Sequence, residues 1–168
     1  MNNCCLPRAF ARSGCLRQIS AKSGFTLIEI LMALAILGVL AAIALPNYAD
    51  YRERARIAQA KGDIREMEVL INRYYADRRA YPATLADIGK ATLLDPWKSA
   101  YQYLDVTDIK ATKGQARKDK QLVPINSDYD LYSMGKDGVS AAPLTAKASQ
   151  DDVIRANNGR FLGLGSEY

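Results

Sequence analysis

Lys22-Ser23-Gly24-Phe25-Thr26-Leu27-Ile28-Glu29 introduces an apolar run in which every residue from Ile30 to Leu45 is apolar or glycine. A helix through Phe25–Leu45 would rise about 1.5 Å per residue and cross most of a bilayer hydrocarbon core of roughly 30 Å. One carboxylate, Glu29, lies within this stretch. Because a charge at the bilayer centre costs roughly 2.5–3.5 kcal/mol on insertion scales, we infer that Glu29 has a function.

The order of these residues resembles the signature of the type IV pilin and type II secretion pseudopilin superfamily: a basic leader, a glycine, and Phe-Thr-Leu-Ile-Glu opening an apolar helix. The resemblance implies cleavage between Gly24 and Phe25 by a membrane prepilin peptidase, followed by N-methylation of Phe25. Cleavage would leave an amine at the end of an apolar helix. Glu29 of one subunit could neutralise that amine on its neighbour, so that neither charge is buried alone. The alternative is that Glu29 only reaches out to water.

A different kind of processing is also open. Ala42-Ile43-Ala44 has the A-x-A pattern of a signal-peptidase site behind a basic segment, and cleavage there would release a soluble protein. Two features oppose this reading. The apolar run is longer than the apolar region of a signal peptide, which usually has roughly 7–15 residues, and Glu29 interrupts it.

The sequence predicts three regions: a cleaved basic leader over residues 1–24, a transmembrane and assembly helix over 25–46, and a periplasmic domain over 47–168. The formal net charge is +5, and the four leader cations Arg8, Arg12, Arg17 and Lys22 leave about +1 for the mature chain. The basic balance is therefore a topology signal and not a nucleic-acid footprint. All three cysteines, Cys4, Cys5 and Cys15, lie in the leader, so no disulfide is expected after cleavage.

Composition also argues against an enzyme. The chain has no histidine, and the mature part would have no cysteine. The usual general base near neutral pH and the common soft-metal ligands are therefore missing. No spacing of serine, lysine or paired carboxylates suggests a catalytic site, and we predict none.

Residues 47–80 are predicted to continue the helix with an apolar stripe on one face, formed by Ile57, Ile64, Met67, Ile71 and Tyr74 and widened by Leu70 and Tyr75. The Tyr81-Pro82 pair should end it. Pro82–Gly89 fits a short helical turn. Strands are predicted at 101–104, 129–133 and 160–162, with an edge strand at 122–125. Residues 110–120 are polar and mostly basic, and are predicted to form a solvated loop or hairpin tip.

Within the superfamily, the C-terminal half resembles the major pseudopilin of type II secretion. The shared motifs are Tyr81-Pro82, Asp95-Pro96-Trp97, Tyr101-Gln102-Tyr103 and the run Asp130–Gly138. The resemblance implies an α+β, pilin-like fold in which one long N-terminal helix packs on a small antiparallel sheet. Lys98 replaces the usual glycine, and the stretch between Asp105 and Asp128 is longer and more basic than expected.

The resemblance further implies that the final loop binds calcium. Asp137 and Asp152 match the family's ligand positions best, the carbonyls of Leu131 and Ser133 match its backbone ligands, and Asp151 is a possible substitute. From the residues alone, the alternative is that Asp137 only shapes its turn and Asp151-Asp152 cap a short helix.

The leading hypothesis is a non-enzymatic pseudopilus subunit of type II protein export. It would be inserted once in the bacterial inner membrane with its C-terminal domain in the periplasm. Its expected partners are other copies of itself, minor pseudopilins, the prepilin peptidase and the inner-membrane assembly platform, with no nucleic acid. The alternatives are a surface type IV pilin for adhesion, motility or DNA uptake, and a soluble periplasmic enzyme or binding protein released after Ala44.

Overall fold

The computed structural model describes residues 24–112, 114–120 and 122–168. The predicted leader up to residue 23, with its cations and cysteines, lies outside the described residues. So does Lys113 of the predicted basic loop. The described chain falls into two units, one ending at Ile43 and one beginning at Ala44. The fold is α+β, with one long helix and a four-stranded antiparallel sheet, as predicted.

Helix α1 spans Leu27–Arg78. It ends where the backbone turns left-handed at Arg79, with φ of 57°, and the Arg79 amide donates to the Tyr75 carbonyl over 2.8 Å. A left-handed residue after the last turn is a common helix stop, and Pro82 prevents the chain from resuming the helix at once. The helix thus ends at Arg78, against a predicted boundary of 80.

The middle of α1 buries one face. Ala60, Ile64, Met67 and Ile71 are fully buried, with spacings of four, three and four residues that place them on one side of a helix. The predicted stripe is therefore confirmed at Ile64, Met67 and Ile71. Tyr75, which was predicted to widen the stripe, is exposed. Its ring stacks on that of Tyr81, with the ring centroids 4.5 Å apart.

The sheet is a meander in which each strand pairs antiparallel with the next. Its strands are β1 (Gln102–Asp105), β2 (Tyr129–Ser133), β3 (Val153–Ala156) and β4 (Phe161–Leu164). The strands predicted at 101–104, 129–133 and 160–162 correspond to β1, β2 and β4. One face of the sheet packs on the buried stripe of α1 through Tyr129, Leu131 and Val153, together with Tyr101 just before β1.

The opposite face of the sheet covers a second apolar cluster. Ile154 and Ala156 of β3 pack there with Ile125 and Leu144, which come from the two long connections on either side of β2. Alternate residues of a strand point to opposite faces, which explains why Val153 and Ile154 belong to different clusters. Both faces of β3 are therefore buried, as is each of its four residues.

One strand prediction was wrong, and one strand was not predicted. Leu122–Ile125 forms no strand; it contains a cis Val123–Pro124 peptide bond and touches strand-like pairing only through an isolated Asp119–Leu122 bridge. Conversely, β3 was not predicted. Its four residues follow two aspartates that suggested a helix cap, and Arg155 in its middle breaks the apolar pattern.

Short helices complete the described chain. The turn predicted at 82–89 is a 3₁₀ helix, Leu85–Ile88, which Gly89 ends in a left-handed conformation with φ of 72°. Helix α2, Ile109–Thr112, begins the basic stretch that was predicted to be a loop. Two further 3₁₀ turns, Lys147–Ser149 and Gly165–Glu167, lie before β3 and after β4.

Candidate functional site

The predicted cleavage point lies in non-helical chain just before α1. Residues 24–26 are outside the helix, and Phe25 is 77% exposed. A Cβ added at Gly24 would meet no heavy atom within 4 Å. The fold itself therefore places no steric demand for glycine at this position, and a requirement for Gly24 would come from a processing enzyme.

Glu29 participates in the start of α1. The Thr26 hydroxyl accepts from the Glu29 amide over 3.3 Å, and a Glu29 carboxylate oxygen accepts from the Thr26 amide over 3.5 Å. This reciprocal arrangement is a capping box, which satisfies amides that the first turn cannot pair internally. At these distances the bonds are weak, so the carboxylate remains free to exchange them for a stronger partner.

The apolar run of α1 is exposed on all sides of the helix. Every residue from Phe25 to Leu45 is exposed. Among the described residues, α1 is the one helix long and apolar enough to cross a membrane, judged by length and composition. A helix that is apolar all round requires an apolar environment, either lipid or other helices.

The predicted calcium residues lie in and beside the long β2–β3 connection, but each carboxylate already has protein partners. Asp137 is exposed and accepts from the Val139 amide over 2.8 Å. Asp151 accepts from the amides of Lys136 and Asp137 over 2.9 and 3.0 Å. Asp137 and Asp151 therefore both stabilise the turn at Asp137. The alternative drawn from the residues alone gave that role to Asp137 and expected Asp151 to cap a helix.

Asp152 is completely buried and faces a cation from the protein. Its Oδ2 accepts from Arg117 Nη2 over 2.6 Å and from the Ser140 hydroxyl over 2.6 Å. Its Oδ1 is buried and has no hydrogen-bond partner among the described residues. Burial raises the pKa of the Asp152 carboxyl, while the Ser140 hydrogen bond and the charge of Arg117 act to lower it. Asp152 thus lies immediately before β3 and caps no helix.

The two predicted backbone ligands lie in β2, where Leu131 pairs with Tyr103 and Ser133 pairs with Val153. The Ser133 hydroxyl donates a short hydrogen bond to buried Asp95. No group of three or more acidic, histidine or cysteine side chains that could hold a metal occurs in the described part of the chain. Since calcium takes six to eight oxygens, these residues as arranged do not fit the ion. Calcium binding stays a prediction.

Sequence reasoning missed Arg117 altogether. It lies in the basic stretch predicted to be solvated, yet its side chain is 2% exposed. Nothing in the local pattern separates it from neighbours such as Lys118 and Lys120. The one available signal was the extra length of the 105–128 connection, since a long ordered connection needs its own buried anchor.

The comparisons with known proteins agree with the N-terminal motif. Residues 19–45 match the family model described as the prokaryotic N-terminal methylation motif. Type II secretion system core protein G of Pseudomonas aeruginosa is 33% identical over 138 residues, which cover 70% of this chain and 85% of that protein.

Two further relatives extend the comparison. The core protein G of Escherichia coli is 30% identical over 145 residues, covering 82% of this chain and 93% of that protein. The type IV major pilin protein PilE of Neisseria gonorrhoeae is 28% identical over 147 residues, covering 82% and 85% respectively. No solved structure gives a significant match. With its methylation motif, long N-terminal helix and antiparallel sheet, the chain belongs to the type IV pilin and type II secretion pseudopilin superfamily.

Proposed function

We propose that this chain is a structural subunit of the pseudopilus of type II secretion, a filament that acts in protein export across the outer membrane. The observation that carries the proposal is the exposed apolar segment Phe25–Leu45 with its single carboxylate, Glu29. Such a surface requires an apolar surrounding, and further copies of the same segment would provide one in a filament. The similarity to core protein G over 85–93% of its length supports secretion as the setting.

Before assembly, the same segment anchors the chain in the inner membrane as a single span. The cations of the leader favour a cytoplasmic N-terminus, which puts the C-terminal domain in the periplasm. A prepilin peptidase then cleaves between Gly24 and Phe25, and the new amine is methylated. Minor pseudopilins and the inner-membrane assembly platform are the further partners implied by this setting.

In the assembled filament, Glu29 of one subunit pairs with the Phe25 amine of its neighbour. The bond from the Thr26 amide to the Glu29 carboxylate is long, at 3.5 Å, and its donor carries no full charge. An ammonium can replace it, because a short bond between two ionised groups adds the attraction of two full charges. Pairing also removes two unbalanced charges from a low-dielectric bundle. Glu29 thereby sets the axial position of each subunit relative to the next.

The processing step can be tested by mass spectrometry of the N-terminus of the purified protein. We expect it to begin at Phe25 and to carry an additional methyl group. Gly24→Val should block this cleavage, and since no atom lies near an added Cβ at Gly24, the block would reflect recognition by the peptidase. Gly38→Ala is the matched control: it too adds a Cβ in open space, and should leave cleavage intact. A wild-type chain that begins at Leu45 would instead mean signal-peptidase release and would end the filament proposal.

The second candidate is a surface type IV pilin, which the similarity to PilE favours. The two candidates differ in what a deletion strain loses. Loss of an exported protein from the medium, restored by the wild-type gene, supports the pseudopilus. Loss of surface filaments with normal export supports the pilin.

A further inference from the structure

The long β2–β3 connection, residues 134–152, is organised around a buried guanidinium that comes from another part of the chain. Arg117 Nη2 donates to Asp152 Oδ2 over 2.6 Å, and its Nη1 donates to the Ala141 carbonyl over 2.8 Å and to the Ser140 hydroxyl in a short hydrogen bond. All three acceptors belong to this connection. One positive charge from the β1–β2 connection thus joins Ser140 and Ala141 to Asp152, the last residue of the β2–β3 connection.

The backbone around Arg117 is held in place independently of its side chain. The Arg117 amide donates to Asp130 Oδ2 in β2 over 2.6 Å, and its carbonyl accepts from the Ile125 amide over 3.0 Å. Lys118 exchanges backbone hydrogen bonds with the opposite connection, donating to the Ala142 carbonyl over 3.0 Å and accepting from the Leu144 amide over 2.9 Å. These backbone hydrogen bonds therefore position Arg117 so that its guanidinium reaches its acceptors.

The surroundings of the guanidinium are those of a built cation site. Its carbon lies 4.2 Å from the centroid of the Tyr132 ring, a distance typical of a cation–π contact. With Asp152, Ser140 and Ala141 supplying oxygens, the charge has a carboxylate, two neutral acceptors and an aromatic face. An arginine is always protonated, and it needs no ion from solution to fill this place.

We propose that Arg117 is the resident cation of the β2–β3 connection in this chain, in the place where the family resemblance implies calcium, and that the connection folds without a metal. Arg117 already occupies Asp152 Oδ2, so only Oδ1 of this carboxylate is left for a calcium ion. An ion at Oδ1 would lie beside the guanidinium, and the repulsion between the two cations disfavours its binding. Arg117 lies in the 105–128 connection, the stretch that is longer and more basic than the resemblance leads one to expect.

The test uses the full chain in detergent micelles, followed by the fluorescence of Trp97, the single tryptophan. Its ring nitrogen donates to Glu53 of α1 over 3.0 Å, so it reports separation of the C-terminal domain from that helix segment. We expect the wild-type melting temperature to be the same in millimolar calcium as in EGTA. A saturable rise of roughly 5–15 °C in calcium, as expected of a bound ion at a hundredfold excess, would overturn the proposal.

Two variants test whether the Arg117 guanidinium itself stabilises the β2–β3 connection. Arg117→Gln keeps polar donors but removes the charge, leaving Asp152 buried without its partner; the melting temperature should fall by about 10 °C or more with or without calcium. Arg160→Gln changes an exposed arginine of the same domain and should melt like wild type. An Arg117→Gln chain that melts like wild type would refute the stabilising role of Arg117.

Should that variant fail to fold, a calorimetric calcium titration of the wild-type chain decides: no binding supports the proposal, and stoichiometric binding rejects it.

Discussion

Two segments of α1 share one backbone conformation and have opposite surroundings. Between residues 27 and 45 the side chains are apolar on all sides, apart from Glu29, and all are exposed. Between residues 60 and 71 one face of the helix carries Ala60, Ile64, Met67 and Ile71, which are fully buried against the sheet. The more apolar segment is therefore the more exposed one. Burial follows from whether the chain itself supplies a covering surface, and not from how apolar the segment is.

The charges of the two segments show the same contrast. Glu29 has only weak capping bonds to Thr26. Glu68, in contrast, contacts the Nε of buried Arg155 over 3.0 Å, and Arg155 also forms a two-pronged pair with Asp128. Burial alone would lower the pKa of Arg155, but the hydrogen bond and charge of Asp128 outweigh it and raise that pKa. In the proposed filament the carboxylate of the first segment pairs with another molecule, whereas Glu68 of the second pairs within the chain.

The largest effect is expected at Glu29. Glu29→Gln should retain membrane insertion, since a charge is removed, but leave the neighbour's amine unpaired in the packed bundle. Such a loss of one partner costs about 3–5 kcal/mol, which corresponds to a weakening of subunit association by about a hundredfold or more. The measurement is the amount of filament sedimented from gently lysed cells that produce equal amounts of each subunit.

The matched control for Glu29 is Glu66→Gln, a glutamate on the same helix whose side chain is largely exposed. It should give filaments in wild-type amounts. Wild-type filament yield from Glu29→Gln would show that the carboxylate has no part in assembly.

A pair of methionines compares the two segments directly. Met67 is fully buried and Met32 is 62% exposed. Met67→Ala should lower the free energy of unfolding by about 2–5 kcal/mol, because it leaves a cavity between α1 and the sheet. Met32→Ala should change that free energy by less than about 0.5 kcal/mol. Denaturant unfolding of the full chain in micelles, followed by Trp97 fluorescence, measures both; equal losses from the two variants would contradict the contrast between the segments.

The next effect concerns Glu68. Glu68→Gln removes one of the two carboxylates of Arg155 and should cost about 1.5–3 kcal/mol of unfolding free energy, the range for hydrogen bonds to charged groups. Asp128 should keep the arginine charged and in place. Glu66→Gln serves again as the comparison, since Lys90 and Glu66 form a surface pair at 2.6 Å that should contribute only about 0–1 kcal/mol. A Glu68→Gln chain no less stable than Glu66→Gln would mean that Asp128 alone suffices.

The smallest effect is a gain. Gly62 lies exposed in the middle of α1, and a Cβ added there meets no heavy atom within 4 Å. Gly62→Ala should raise the unfolding free energy of the C-terminal domain by about 0.4–1 kcal/mol, because alanine loses less backbone entropy on folding. Gly38→Ala, equally unhindered, should leave that domain unchanged when both are compared by thermal unfolding. A loss of stability from Gly62→Ala would indicate that glycine is required there for a close contact.

Much of the fold of this protein could be predicted from short contiguous stretches of its sequence. The cleavage motif, the apolar run and Glu29 are contiguous, and the stripe Ile64, Met67 and Ile71 has an unambiguous helical period. Strands β1, β2 and β4 alternate or carry aromatic residues, which is the usual signature of a half-buried strand. The processing and assembly residues Gly24, Phe25 and Glu29 remain predictions, since their role depends on other molecules.

What only the tertiary structure decided concerns residues whose partners are distant in the chain. Arg117 reads as one more solvated cation, and it is buried because Asp152, 35 residues away, lies opposite it. Strand β3 looks irregular because Arg155 interrupts it, yet that arginine is satisfied by Glu68, 87 residues away. A local pattern records the preference of each side chain for water or for apolar surroundings. It cannot record which buried charge will find its counterpart, because that depends on where the fold brings the two together.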